Sequence, residues 1–126
     1  MSSDAKKKIL LIEDDPDQLL MYEVELTKSG FLVFTAKNKA DAFAIIKKEH
    51  PDLVFLDLLL GPENGRDILA EIKKDKEMKN TKVVVLSNFN QKDLPAQVKK
   101  EGALDFMNKS LYIPKEIAEK AREYTM

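Results

Sequence analysis

Residues 51–65 read PDLVFLDLLLGPENG. The apolar run 53–60 is broken by a single carboxylate, Asp57, and is closed at once by Gly61, Pro62, Asn64 and Gly65. An apolar run of this length between turn residues suits a strand buried on both faces of a parallel sheet. An ionised carboxylate buried in such a strand costs several kcal/mol unless it is paired or bound to a metal. Asp57 lies just before the turn, at the carboxyl end of the strand, and ligands bind along that edge of open parallel sheets. The remainder of the chain is therefore expected to supply Asp57 with partners.

Working outward, residues 9–12 form an all-apolar run before EDDPD and read as the first strand. Asp15 suits a helix N-cap and Pro16 a first helical turn. Leu19, Leu20, Tyr22, Val24 and Leu26 line a broad face of that helix, and Gly30 stops it. Residues 31–35 read as a second strand. Asn38 caps a second helix with Ala42, Phe43, Ile45 and Ile46 inward, ended by His50-Pro51. After the Asp57 strand, a third helix runs from about Arg66 with Ile68, Leu69 and Ile72 inward. Residues 82–86, KVVVL, form a fourth strand that ends at Ser87. Pro95 confines the next helix to a late start, capped by Asp93 and ended by Gly102. Residues 103–107 form a short fifth strand before Asn108 and Lys109. Pro114 opens a last helix, with Ile117, Ala118, Ala121 and Tyr124 as its apolar stripe. Five strands alternating with five helices predict an α/β doubly wound parallel sheet with right-handed crossovers.

Composition narrows the function. A chain of 126 residues suits one domain. With no cysteine, disulfides, zinc-thiolate sites and thiol catalysis are excluded. A net charge of −1 argues against a general electrostatic grip on nucleic acid. No apolar run approaches the ~20 residues of a membrane span. The opening MSSDAKKK has no apolar core of a signal sequence, so residues 1–8 read as a flexible lead-in and the location as cytoplasmic.

The chemistry collects at the carboxyl ends of the strands. Strand one ends in Glu13-Asp14-Asp15, strand three in Asp57, strand four in Ser87 and strand five in Lys109. Carboxylates meeting at one edge repel, and Mg2+, which takes a few carboxylate oxygens and keeps several waters, resolves the repulsion. Lys109 adds a positive charge and Ser87 a hydroxyl donor. Cation, ammonium and hydroxyl together make a site for a phosphoryl group beside a carboxylate, with Asp57 as nucleophile and an aspartyl-phosphate as product. Asp15 is assigned to the helix cap and not to the metal. His50, the only histidine, precedes a proline in a loop and is structural, which leaves no serine–histidine triad.

These segments, ILLIEDDP, PDLVFLDLLLGPENG, VVVLSN and DFMNKS in this order, resemble a receiver domain of the two-component response regulators, of the stand-alone, CheY-like kind. The resemblance covers about residues 8–124. It implies a five-stranded flavodoxin-like sheet of order 2-1-3-4-5 spanning residues 9–126. By position, Asp57 resembles the phospho-acceptor, Glu13 and Asp14 the acidic pair that holds Mg2+, and the Leu59 backbone carbonyl a further metal ligand. Ser87 resembles the switch hydroxyl, Lys109 the lysine that pairs with the phosphoryl group, and Phe106 the switch aromatic. The implied donor is a phosphohistidine on a sensor histidine kinase or a histidine phosphotransfer protein. The implied output is a changed surface on the fourth helix, fifth strand and fifth helix, read by a downstream protein target. No nucleic acid or membrane is bound directly, a monomer or weak dimer is expected, and the chemistry is autocatalytic, not that of an enzyme turned on an outside substrate.

Departures from the family pattern are specific. Proline usually follows the lysine, with a cis bond before it, whereas here the residue is Ser110; a cis bond before a residue other than proline costs about 2.5–4 kcal/mol. The loop proline comes one place late, at Pro62. Asn88 stands where a smaller residue is common. Leu59 and Phe89, two residues past the acceptor and past the switch hydroxyl, are both large and apolar, which predicts slow loss of the phosphoryl group to water. A haloacid-dehalogenase-like phosphohydrolase needs an aspartate where Leu59 stands. A dinucleotide-binding domain needs a glycine-rich turn where EDDPD stands. The remaining alternative is a degenerate receiver that serves as a phosphorylation-independent interaction module.

Overall fold

A computed structural model describes residues 5–88 and 91–126. Its strands and helices are β1 (Lys8–Ile12), α1 (Pro16–Lys28), β2 (Leu32–Ala36), α2 (Lys39–Glu49), β3 (Leu53–Leu56), the short β4 (Leu59–Leu60) and β5 (Glu63–Asn64), α3 (Gly65–Lys74), β6 (Val83–Ser87), α4 (Leu94–Lys100), β7 (Asp105–Asn108) and α5 (Pro114–Tyr124). β2, β1, β3, β6 and β7 form one parallel sheet in that spatial order. Counted among the five sheet strands alone, the order is 2-1-3-4-5, as expected.

Alternation along each strand divides the core in two. Leu10, Ile12, Val54, Leu56, Val83 and Val85 face α2, α3 and α4. Ile9, Leu11, Leu53, Phe55, Val84 and Leu86 face α1 and α5. A strand buried on both faces needs apolar residues at every position, which is why β1, β3 and β6 read as unbroken apolar runs.

Local chemistry sets the ends of the helices. Asp15 Oδ1 accepts from the backbone N–H groups of Asp17 and Gln18 at the start of α1. Asn38 Oδ1 does the same for Asp41 in α2. His50 closes α2 in the left-handed region at φ 50°, its backbone N–H donating to the Ile46 carbonyl. α4 begins late with Pro95 in its first turn, as read from the sequence, although Asp93 makes no side-chain capping bond.

Two expectations are corrected. On α1 only Leu19, Tyr22 and Leu26 are buried, while Leu20 and Val24 are exposed. The apolar face is narrower because α1 covers the sheet along one stripe. The run 53–60 is not one strand either. β3 stops at Leu56, and Leu59–Leu60 turns back on Glu63–Asn64 as an antiparallel hairpin. Leu58 and Leu60 stay buried while Leu59 is 53% exposed. The hairpin turns at Gly61, whose φ of 59° suits glycine.

Candidate functional site

Asp57 follows β3 directly, and its backbone N–H donates to the Ile12 carbonyl at the end of β1. That bond places Asp57 beside Glu13, the residue after β1. Ser87 is the last residue of β6, and Lys109 follows β7, which pairs with β6 through Ser87 and Asn108. Sheet register thus delivers Glu13, Asp57, Ser87 and Lys109 to one edge, and all four are buried.

The contacts converge on the Asp57 carboxylate. Ser87 Oγ donates to Oδ1 at 2.8 Å, and the Leu59 N–H donates to the same oxygen at 3.0 Å. Lys109 Nζ donates to Oδ2 at 2.8 Å. Lys109 also bonds Glu13 Oε1, and the other Glu13 oxygen accepts from the Asp15 N–H at 3.1 Å. Each Asp57 oxygen therefore has its own side-chain donor, and the ammonium bridges two buried carboxylates.

Burial pushes the Glu13 carboxyl above its usual range; the Lys109 hydrogen bond pulls it back, and the nearby Asp57 charge adds to the rise. For Lys109, burial favours the neutral amine, but hydrogen bonds to Asp57 and Glu13 outweigh it and hold the ammonium above its ordinary value. Burial likewise raises the Tyr22 hydroxyl beneath the cluster.

Asp14 is exposed and does not join this cluster. Its Oδ2 faces the hairpin turn, where a Cβ at Gly61 would stand 3.4 Å away. Among the described residues no three carboxylate or imidazole side chains gather as a ready metal cage. Lys109 is long enough to reach between Glu13 and Asp57 and bonds both carboxylates. Phe106 is half-buried against the α2–α3–α4 core. Asn88 is exposed, and Phe89 lies outside the described residues.

Gly65 is what lets α3 start against the site. A Cβ there would lie 2.4 Å from the Asp57 carbonyl oxygen and 2.5 Å from Leu58 Cα. The hairpin is tied to α2 by the Lys39 N–H on Glu63 Oε1 at 2.9 Å. Lys109 opens a 3-10 turn (Lys109–Leu111), and the described residues contain no cis peptide bond, so Lys109–Ser110 is trans.

A family model described as the response regulator receiver domain matches residues 9–122. The chain belongs to this family. Sporulation initiation phosphotransferase F of Bacillus subtilis is 30% identical over 118 residues, which cover 94% of this chain and 93% of that protein. Protein PilH of Pseudomonas aeruginosa is 28% identical over 102 residues, covering 81% and 84%. A crystal structure of a response regulator from Thermotoga maritima superimposes with a TM-score of 0.83 at 30% identity, covering 96% of this chain and 98% of that one. Two other curated relatives, both transcriptional regulators by name, are longer, and this chain spans 47% and 24% of them. The receiver fold, with its flavodoxin-like strand order, is therefore established for this chain.

Sequence reading missed one residue of the receiver's site. Gln18 Oε1 accepts from Lys109 Nζ at 2.5 Å. Its position, three residues after the Asp15 cap, was the available signal. Tyr22, read only as core, lies one turn further along α1 beside the same charges.

Proposed function

We propose that this receiver takes a phosphoryl group onto Asp57 from a phosphohistidine of a sensor kinase or phosphotransfer protein. One Asp57 oxygen attacks phosphorus, the P–N bond breaks, and the imidazole leaves with the bonding electrons and takes up a proton. The observation that carries the reading is that Lys109 and Ser87 donate to different oxygens of the same buried carboxylate. Lys109 neutralises charge gathering on the transferred group, and the Ser87 hydroxyl is already within reach to follow it. Glu13, Asp14, Asp57 and the Leu59 carbonyl would hold Mg2+ by the chemistry of their ligand atoms, all oxygen, although the Asp14 side chain stands outside the Lys109 cluster. When bound, Mg2+ supplies further positive charge at the phosphoryl oxygens.

The output is a changed α4–β7–α5 surface, with Phe106 on β7 turning as Ser87 moves, read by a downstream protein or passed on as relayed phosphate. The chemistry is self-modification in the cytoplasm. Among the described residues, no helix is long and apolar enough to cross a membrane.

Intact mass after incubation with Mg2+ and acetyl phosphate tests this, on wild type and Asp57→Ala. Gain of one phosphoryl group by wild type alone is expected. Failure with acetyl phosphate and with a phosphohistidine donor would overturn the reading in favour of a phosphorylation-independent module.

A further inference from the structure

Lys73 lies in the last turn of α3, half-buried, far along the chain from the Asp57 cluster. Its stem passes against the turn from α4 to β7, where a Cβ at Gly102 would stand 2.8 Å from Lys73 Cγ. The glycine therefore makes room for the stem and holds it in place. At its end, Nζ donates to the backbone carbonyls of Thr81 at 2.7 Å and Lys79 at 3.2 Å, in the loop before β6. Both acceptors are neutral.

An ammonium has three donors, whereas a neutral amine has two and a lone pair. Two carbonyls can be served by either form, so no group on the protein calls for the third proton. Burial acts against the charge and holds the Lys73 ammonium below its ordinary value of 10.5. A desolvated lysine beside other cations is a setting that yields a nucleophilic amine.

The surroundings supply those cations. Lys73 lines a recess of about 300 Å3 together with Thr81, Lys82, Lys99 and Leu104. Lys82 Nζ is anchored on the Tyr124 carbonyl at 2.8 Å, a neutral acceptor that leaves its charge uncompensated. Lys99 stands 3.4 Å from Asp105. A recess with a nucleophile and cations suits a small electrophile whose leaving group is an anion. An acyl phosphate has that form.

We propose that Lys73 is a site of acylation by small acyl phosphates. The neutral amine attacks the carbonyl carbon and forms the C–N bond. The C–O bond to phosphate breaks, phosphate leaves with the bonding electrons beside Lys82 and Lys99, and it takes up the proton that the nitrogen gives up. The product is a neutral amide with one N–H for two carbonyls, so the mark removes a charge and one tie between α3 and the loop before β6. Attack falls on carbon here and on phosphorus at Asp57, so the two reactions are independent and leave groups of different mass.

The test is a time course of wild type with acetyl phosphate, digested and mapped by mass spectrometry. The exposed Lys48 and Lys115 serve as controls within the same sample. Lys73 should acquire acetyl about tenfold faster than either, through its larger neutral fraction and the cations at the departing phosphate. Acetylation of Lys73 at or below the rate of these controls overturns the proposal. The doubly substituted variant Lys82→Gln, Lys99→Gln should bring Lys73 down towards the control rate; an unchanged Lys73 rate overturns the part assigned to the cations. Asp57→Ala should acetylate Lys73 as wild type does while gaining no phosphoryl group. Loss of the Lys73 acetyl group in that variant would mean that it arrives by way of Asp57 and would overturn direct attack, whereas failure of Asp57 to accept phosphoryl leaves the Lys73 comparison intact.

Discussion

Lys109→Met should be the most costly single change at the site. The Lys109, Glu13 and Asp57 side chains are 6%, 7% and 9% exposed, so solvent screens their interactions little. The ammonium's folded pKa lies above its ordinary value of 10.5. Its contribution to stability is therefore fully present below that pH and lost only as pH rises through the folded value. Methionine fills the space and leaves two carboxylates buried together without a cation. Removing one partner of a buried pair costs about 3–5 kcal/mol, out of a total stability of about 5–15 kcal/mol. At a urea slope of roughly 1–3 kcal/mol/M, the unfolding midpoint should fall by about 2 M near neutral pH. The deficit should depend on pH. Glu13 is already raised above 4.5 by burial, and loss of the Lys109 bond raises it further. A carboxyl raised in the fold binds more protons folded than unfolded, so stability recovers as pH falls through the folded value towards 4.5. Urea titrations at about pH 8 and about pH 5 should show a smaller deficit at the lower pH. Mg2+ should stabilise the variant more than wild type, because it restores the missing charge. A midpoint equal to wild type at the higher pH, or a deficit independent of pH, would refute the reasoning.

Gly65→Ala places a Cβ against backbone atoms of Asp57 and Leu58 that cannot rotate away. It should cost about 1–3 kcal/mol in urea unfolding and slow phosphorylation together; a stable, fully active variant would show that α3 shifts freely. Leu59→Asn puts a polar side chain at the exposed flank of Asp57 and should shorten the lifetime of the phosphorylated form, followed by loss of mass after removal of donor; an unchanged lifetime counts against Leu59 as a water barrier. Tyr124→Phe removes the hydroxyl that donates to Asp105 Oδ2. Burial raises Asp105, but Tyr124, the Phe106 N–H and Lys99 pull it lower still, so the stability they contribute is present above the unfolded pKa of 3.8 and is lost as pH falls through the folded value. The variant should lose about 1 kcal/mol at neutral pH and converge on wild type in acid.

The fold was legible because the runs 9–12, 53–56 and 83–86 are wholly apolar and each helix start carries a cap or a proline. Those signals are local and survive without any knowledge of the tertiary structure. Asp57, Ser87 and Lys109 were legible for a related reason: a polar residue at the end of an apolar run marks the carboxyl edge of a parallel sheet. Three features were not. The hairpin inside LLLGPENG depends on Gly61 entering the left-handed region and on Gly65 lying against backbone, and an apolar pattern carries neither fact. The exposure of Leu20 and Val24 depends on how much of α1 the sheet and α5 cover, which is a matter of packing. Gln18 escaped for a third reason. A glutamine near a helix cap has a local partner on offer, and only the occupation of that partner by Glu13 turns it towards Lys109.

Ser110 raises the question of what fixes Lys109 where family members usually carry proline next. Asn108 Oδ1 accepts from the Ser110 N–H at 2.9 Å and from Ser110 Oγ at 2.7 Å, closing the 3-10 turn that begins at Lys109. A proline at 110 has no N–H to give, so the turn is built here by a different device, a side-chain-to-backbone bond across two residues. Lys109 is then held from both ends, by the turn at its backbone and by three acceptors at its ammonium. Asn108→Ala separates the two anchors. It leaves the ammonium contacts in place and removes the acceptor shared by both Ser110 donors. These bonds are exposed, so the loss should be about 0.5–2 kcal/mol, the scale of a lost helix cap. Phosphorylation of Asp57 should slow, because the lysine backbone gains freedom that must be given up each time the ammonium follows the phosphoryl group. If stability falls while the phosphorylation rate stays at the wild-type value, the side-chain acceptors alone position Lys109 and the turn is dispensable to the chemistry.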